Sequence, residues 1–360
     1  VGEFADASSK GNPERDNSTR KRVMSKILLS HLAHVELITP KLNESANFFV
    51  EVMGMTEVRR TSQFVYLRCW GDYYQYSLML TQGSQPALGH AAWRSVGAAE
   101  LEEAASRVQT SGTTGEWRDD SYAHGRSFRF QGPGGHPIEL FWDVDRHIAS
   151  GDLKSTFPER PQKLTNHGIA PRQLDHVTVA TNDVIRDAKW YRKQLGFRFM
   201  AFATMHDNPN QVVFGTVTTN EKSHDLGLGV DFSAIRGRLH HLAFWVDSAD
   251  EHLRCADLLM ESGAGIEYGP GRHGIGEQYY LYFREPGGLR IEVNTGGYRN
   301  YVPDWEPVKW DVSQGPNTMY RNIGMPDSMM EAFPPDAGPV VPDIDLQPEP
   351  ATVNPWKKHG

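Results

Sequence analysis

The sequence predicts an α+β fold of four βαβββ units, paired into two modules that each form a partly closed sheet. Two observations predict it. The chain repeats itself at two levels, and within each copy the apolar spacing switches from every second residue to helical spacing. A PGG turn at the same place in each half marks the last hairpin of the copy.

Residues 1–30 open polar and charged (SSKGNPERDNSTRKR) and are expected to be a flexible leader. The first module is expected over 31–145. It opens with AHVELITPKLNESANFFVEVMGMTEV, which lies on DHVTVATNDVIRDAKWYRKQLGFRF of the second module without a gap. His34 falls on His176, Phe48 and Phe49 on Trp190 and Tyr191, and Gly54 on Gly196. Alternation after the histidine (Val177, Val179, Val184) gives way to helical spacing, so a strand runs into a helix, and the glycine suits its C-cap. LGHAAWRS then matches LHHLAFWVD, placing His90 on His241. GPGGHPIELFW matches EPGGLRIEVNT, with Glu139 six residues after Pro133 and Glu292 six after Pro286. A linker is expected over 146–171 and the second module over 172–300. The stretch 301–360 is rich in Pro, Asp and Trp without periodicity; it is expected to be an irregular tail that reaches over the active-site mouth.

Bulk properties exclude several classes. With 360 residues the chain is long enough for a duplicated fold. A net charge of −8 without a basic patch argues against nucleic acid. Cys69 and Cys255 are the only cysteines, too few for a disulfide framework or a thiolate-held metal. No apolar run approaches the roughly 18 residues of a membrane span, so a soluble cytoplasmic protein is expected.

The chemistry-bearing candidates are His176, His241 and Glu292, each inside a strand pattern: LDHVTVA, LHHLAFWV and LRIEVNT. Alternation puts Glu292 on the face opposite Ile291 and Val293, and His241 opposite Leu242. Polar groups on inward positions are costly unless paired or metal-bound. One such histidine alone reads as a hydrogen-bonded core residue; three polar residues in register across a duplication read as a metal site. Two imidazoles and a carboxylate leave positions open, which suits Fe(II) and O2 chemistry, and Mn(II) suits the same set.

With these residues in place, the chain resembles the type I extradiol dioxygenases of the vicinal oxygen chelate superfamily. GPGRHGIGEQYYLYFREPGGLRIEVNT is similar to that family's signature along its length. The resemblance implies Fe(II)- and O2-dependent opening of a catechol next to the diol, to a 2-hydroxymuconic-semialdehyde-type product, in a homo-oligomer. It places the metal on His176, His241 and Glu292, with His224, His273 and Tyr282 as catalytic partners. His224 would take the second catechol proton and later return one; His273 and Tyr282 would steady charge on the substrate oxygen. His240, beside His241, is the rival ligand assignment. Family members that take carboxylated catechols carry paired arginines after a WDV motif. Here KWDVSQGPNTMY puts Asn317 and Thr318 near that place, with Arg321 close by, which favours a neutral substituted catechol.

The first module keeps His34, His90 and Glu139 at the ligand positions, a relic metal site. Its Tyr282 position is Arg129 and its His224 position is about Tyr76. Its His273 position falls on Asp120 without gaps, or on His124 with a four-residue gap. That module is therefore expected to be structural. His206 and His252 match nothing and are expected to be solvated. The rival readings are a glyoxalase-type isomerase and a non-catalytic small-molecule binding protein. Neither needs His224, His273 and Tyr282 together.

Overall fold

The computed structural model describes residues 26–119, 121–233, 235–319 and 325–333. The expected leader lies almost wholly outside the described residues, as do Asp120, Arg321 and the tail beyond 333.

Four βαβββ units follow one another. The first is β1 (Leu29–Thr39), α1 (Leu42–Glu51), β2 (Thr56–Arg60), β3 (Phe64–Arg68) and β4 (Leu78–Gln82). The second is β5 (Ala87–Ser95), α2 (Ala98–Thr110), β6 (Gly115–Arg118), β7 (Ser127–Gln131) and β8 (Pro137–Phe141). The third is β9 (Gln173–Thr181), α3 (Val184–Leu195), β10 (Arg198–Thr204), β11 (Val212–Thr218) and β12 (Leu226–Val230). The fourth is β13 (Arg238–Trp245), α4 (Ala249–Glu261), β14 (Tyr268–Arg272), β15 (Gln278–Arg284) and β16 (Arg290–Gly296). One more strand, β17 (Val308–Asp311), adds to the edge at β10.

Local chemistry sets the helix ends. Asp183 accepts from the Arg186 amide to start α3, and Gly196 ends it in the left-handed region at φ 77°. Gly54 also has positive φ, but two residues beyond the Val52 cap of α1, where a Cβ would lie 2.4 Å from the His167 carbonyl. The PGG turns join β7 to β8 and β15 to β16 as antiparallel hairpins.

The sheets run β2-β3-β4-β1-β5-β8-β7-β6 and β14-β15-β16-β13-β9-β12-β11-β10-β17. Within each sheet two units join through one antiparallel pair, β1 with β5 and β9 with β13. One sheet face carries the core: Val177, Val179, Leu242, Phe244, Ile291 and Val293 are at most 1% exposed. Each such side chain contributes about 1.5–3 kcal/mol on burial. The opposite, concave face holds polar residues, and the register explains which. Ala243 on β13 pairs with His176 on β9 and Glu292 on β16, and His241 lies two residues earlier on the same face. In the first module Ala92 pairs with both His34 and Glu139, and His90 lies two residues earlier.

Candidate metal centre and active site

The three strand positions bring His176, His241 and Glu292 together in a buried cluster. The two Nε2 atoms lie 3.1 Å apart, and Glu292 Oε2 lies 3.2 Å from His176 and 3.0 Å from His241. The donors around each ring fix its tautomer. His176 Nδ1 faces Asp175 Oδ2 at 2.8 Å; a carboxylate accepts, so Nδ1 carries the proton and Nε2 keeps its lone pair. His240 Nε2 faces the Met329 carbonyl at 2.6 Å, so His240 donates there and its Nδ1 accepts. His241 Nδ1 lies 2.6 Å from that acceptor and carries the proton, so its Nε2 is bare as well. Two bare imidazole nitrogens thus face a carboxylate oxygen that makes no hydrogen bond of its own among the described residues. That arrangement is costly without a cation between them, and it is the donor set of a two-histidine, one-carboxylate metal site with open positions.

Electrostatics agree. Burial disfavours charge on Glu292, but the two histidines outweigh it and hold the carboxyl well below its usual range. Burial disfavours charge on His176, but Glu292 and Asp175 outweigh it and lift its pKa to about 9, so the cluster favours a positive charge between the histidines and Glu292.

Three residues not singled out from sequence organise this cluster. Asp175 receives His176, Gln278 Nε2 at 3.1 Å and Asn294 Nδ2 at 2.8 Å. Such an outer carboxylate orients a ligating histidine. Its signal was present: Asp175 stands where the first repeat has Ala33, and Asn294 shares the face of Glu292 two residues on. His240 is the acceptor for His241, its Nε2 donates to the Met329 carbonyl, and it lies outside the Nε2 cluster.

The expected partners surround the same site. The His224 ring lies 4.1 Å from the His176 ring, tilted by 50°, with Nδ1 3.0 Å from Ser223 Oγ. Ser223 donates to Gln278 Oε1 at 3.2 Å, so it accepts from His224 and leaves His224 Nε2 bare. Burial, then His176, push the His224 pKa well below its usual value, so the ring is neutral at neutral pH. His273 Nδ1 donates to the Asn317 carbonyl at 2.6 Å, and its Nε2 accepts from Tyr282 O–H at 3.1 Å. Burial and Glu292 raise the Tyr282 hydroxyl well above its usual value, so it remains a donor.

The comparisons with known proteins point the same way. Residues 31–140 and 173–293 match the Glyoxalase/Bleomycin resistance protein/Dioxygenase superfamily. A manganese-dependent 2,3-dihydroxybiphenyl 1,2-dioxygenase of Geobacillus genomosp. 3 is 35% identical over 78% of this chain and 90% of its own. The chain belongs to the extradiol dioxygenases. A metapyrocatechase of Geobacillus stearothermophilus is 33% identical over 83% of this chain and 92% of its own. Homoprotocatechuate 2,3-dioxygenase of Brevibacterium fuscum, in its anaerobic complex with 3,4-dihydroxyphenylacetate, superposes with a TM-score of 0.74 at 27% identity, over 87% of this chain and 95% of that one.

In this extradiol dioxygenase the cluster forms one wall of a cavity of about 420 Å³. His224, His273 and Tyr282 line it, and Val213, Phe214, Val230, Phe232 and Ile275 make its apolar side. Residues 325–333 supply Met325, Met329 and Met330 to the same cavity. Asn317 also lines it. Arg238, the arginine of the lining, donates to Asp231 at 3.0 Å, to Ser233 at 3.0 Å and to the Ala332 carbonyl. No helix among the described residues is long and apolar enough to cross a membrane.

One expectation is overturned. His206 is exposed, but His252 is buried at 1%. It shares the inward stripe of α4 with Cys255 and Leu259, and the spacing of three and four residues already places it there.

Proposed function

We propose that the second module, 172–300, opens catechols next to the diol with a divalent metal on His176, His241 and Glu292, while 31–145 supports it. The observation that carries this reading is the pair of bare imidazole nitrogens on an unsatisfied buried carboxylate, at the wall of a cavity that His224, His273 and Tyr282 also line. When bound, Fe(II) or Mn(II) supplies adjacent positions for the two catechol oxygens and O2, and a path for electrons between them.

The protein does the rest. The bare Nε2 of neutral His224 is the base for a catechol proton and holds it for return during ring opening. The single Tyr282 O–H proton, which His273 Nε2 accepts in this structure, would turn from His273 toward the substrate oxygen where negative charge develops. The apolar side and three methionines fit an alkyl or aryl substituent and keep water from the reacting ring. Arg238 is already matched by Asp231, and Asn317 adds no charge, so a neutral catechol fits better than a carboxylated one. We place the enzyme in the cytoplasm as a homo-oligomer acting in aromatic degradation.

The test is anaerobic loading with Fe(II) or Mn(II), then air and a panel of substituted catechols, following the yellow ring-opened product. Wild type is expected to turn the solution yellow. His241→Ala and Glu292→Ala are expected to lose both colour and metal. His224→Ala is expected to keep its metal while kcat falls about 10²–10⁴-fold. A metal-loaded protein that yellows no catechol would sink the reading, and an unchanged kcat in His224→Ala would sink the role of that residue.

A further inference from the structure

The first module holds a second cluster of the same geometry. His34 and His90 Nε2 are 3.1 Å apart, with rings 5.2 Å apart at 88°, against 5.2 Å and 80° for His176 and His241. Glu139 Oε1 faces His34 at 3.5 Å and His90 at 3.8 Å. A further imidazole adjoins the cluster: His124, whose Nε2 lies 3.2 Å from the same oxygen.

The tautomers again leave lone pairs facing a carboxylate. His90 Nδ1 lies 2.7 Å from Glu36 Oε2 and carries the proton. His124 Nδ1 lies 2.9 Å from the Gly125 carbonyl and carries the proton there. Both Nε2 atoms are therefore bare. His34, protonated on Nε2, could satisfy His90 alone, and the lone pairs of His124 Nε2 and Glu139 Oε1 would still oppose each other. Neither of those two atoms makes a hydrogen bond among the described residues, and the His124 side chain is 1% exposed. Ala123, just before it, sits at φ 59°, a left-handed conformation that disfavours an alanine. The loop thus bears strain that aims His124 inward.

From these atoms we propose a second metal site, in which His34, His90 and Glu139 hold a structural divalent cation such as zinc and His124, beside Glu139, swings in as the fourth donor. A tetrahedral ion with bonds of about 2.0–2.1 Å separates its ligands by about 3.3 Å; the 3.1, 3.5 and 3.8 Å among His34, His90 and Glu139 bracket that value, while His124 Nε2, 3.2 Å from Glu139, lies outside that group and must move inward to complete it. Arg129 donates to the other Glu139 oxygen and, at 3.5 Å, to the lone pair of His90 Nε2, which leaves the opposed lone pairs of His124 and Glu139 as the unsatisfied ones. With Glu36 and Glu139 it leaves two carboxylates against one cation. Arg129 pairs across the strands with Glu139 as Tyr282 does with Glu292, and with His124 it closes the face that is open in the second module. The space beside this cluster is only about 10 Å³, less than a catechol needs, so the ion would brace β1, β5, β8 and the His124 loop rather than act on substrate.

The experiment strips the full chain with chelator, adds excess Zn(II), removes unbound metal by gel filtration and counts zinc per chain. Wild type is expected to hold two equivalents. A chain carrying His176→Ala with Glu292→Ala is expected to hold one, and to show the strong visible bands of a tetrahedral site when Co(II) replaces zinc. His124→Ala is expected to hold one and, loaded with Fe(II), to keep its ring-cleaving activity. One equivalent in wild type with none in the doubly substituted chain would overturn the proposal and assign the cluster to protonated histidines. That arm decides even if His124→Ala fails to fold, and it does not depend on what the second module catalyses.

Discussion

His240 shows how much one residue can decide at a metal site. Its Nδ1 accepts from His241 and its Nε2 donates to the Met329 carbonyl, so it keeps the His241 Nε2 lone pair pointed into the cluster. Outer partners of this kind are worth about 10–100-fold in metal affinity. His240→Ala is therefore expected to weaken Mn(II) binding by about that factor, with kcat nearly restored at saturating metal. Unchanged affinity in an anaerobic titration would mean that packing alone orients His241. The sequence identified His176, His241 and Glu292 because each has an in-register counterpart in the other module and alternation fixes its face. Asp175, Asn294 and His240 were not legible in the same way. Their roles depend on which strands become neighbours and which nitrogen carries a proton, and a linear pattern encodes neither. His252 has no counterpart in the repeat, yet its spacing from Cys255 and Leu259 places it on the inward stripe of α4.

At the scale of elements, residues 325–333 are held over the cavity by one ion cluster. Arg290, fully buried on β16, donates to Glu267 at 2.9 and 3.1 Å, to the His240 carbonyl at 3.0 Å and to the Glu331 carbonyl at 2.9 Å. Arg284 adds Glu267 at 2.9 Å and Glu331 at 2.9 Å. Burial works against the Glu267 charge, but the two arginines hold its pKa at about 2 and keep it ionised at working pH. Glu267→Gln would leave the buried Arg290 without its carboxylate, at a cost of about 3 kcal/mol. The expected result is a lower urea midpoint and a raised KM for aryl- or alkyl-substituted catechols, with kcat for catechol itself little changed. A KM that rises equally for every catechol would show that the segment does not sort substituents. This segment was the least legible part of the sequence, because irregular chain fixed by carbonyl acceptors leaves no periodicity.

Over the whole molecule, one duplicated frame supports a hollow site and a filled one, and the two halves share a core. Phe48 meets Phe283, Phe49 meets Phe244 and Trp93 meets Phe197 across the modules, at ring distances of 5.9, 6.2 and 5.7 Å. His136 of the first module lies 2.9 Å from the Ala180 carbonyl and 3.1 Å from that of Arg238. Burial holds its pKa near 4, so it stays neutral and donates through Nε2. A continuous core of this kind unfolds as a unit. Trp93 is 1% exposed and far in sequence from the catalytic cluster, so Trp93→Ala tests that coupling. A cavity of that size costs about 3–5 kcal/mol. If the modules are one cooperative body, ring cleavage in the second module and the circular dichroism of the whole chain are lost together at the lower denaturant midpoint. Two separate transitions, with activity surviving the first, would mean that the modules fold independently. In that case the first module braces the second only through the contacts at their seam.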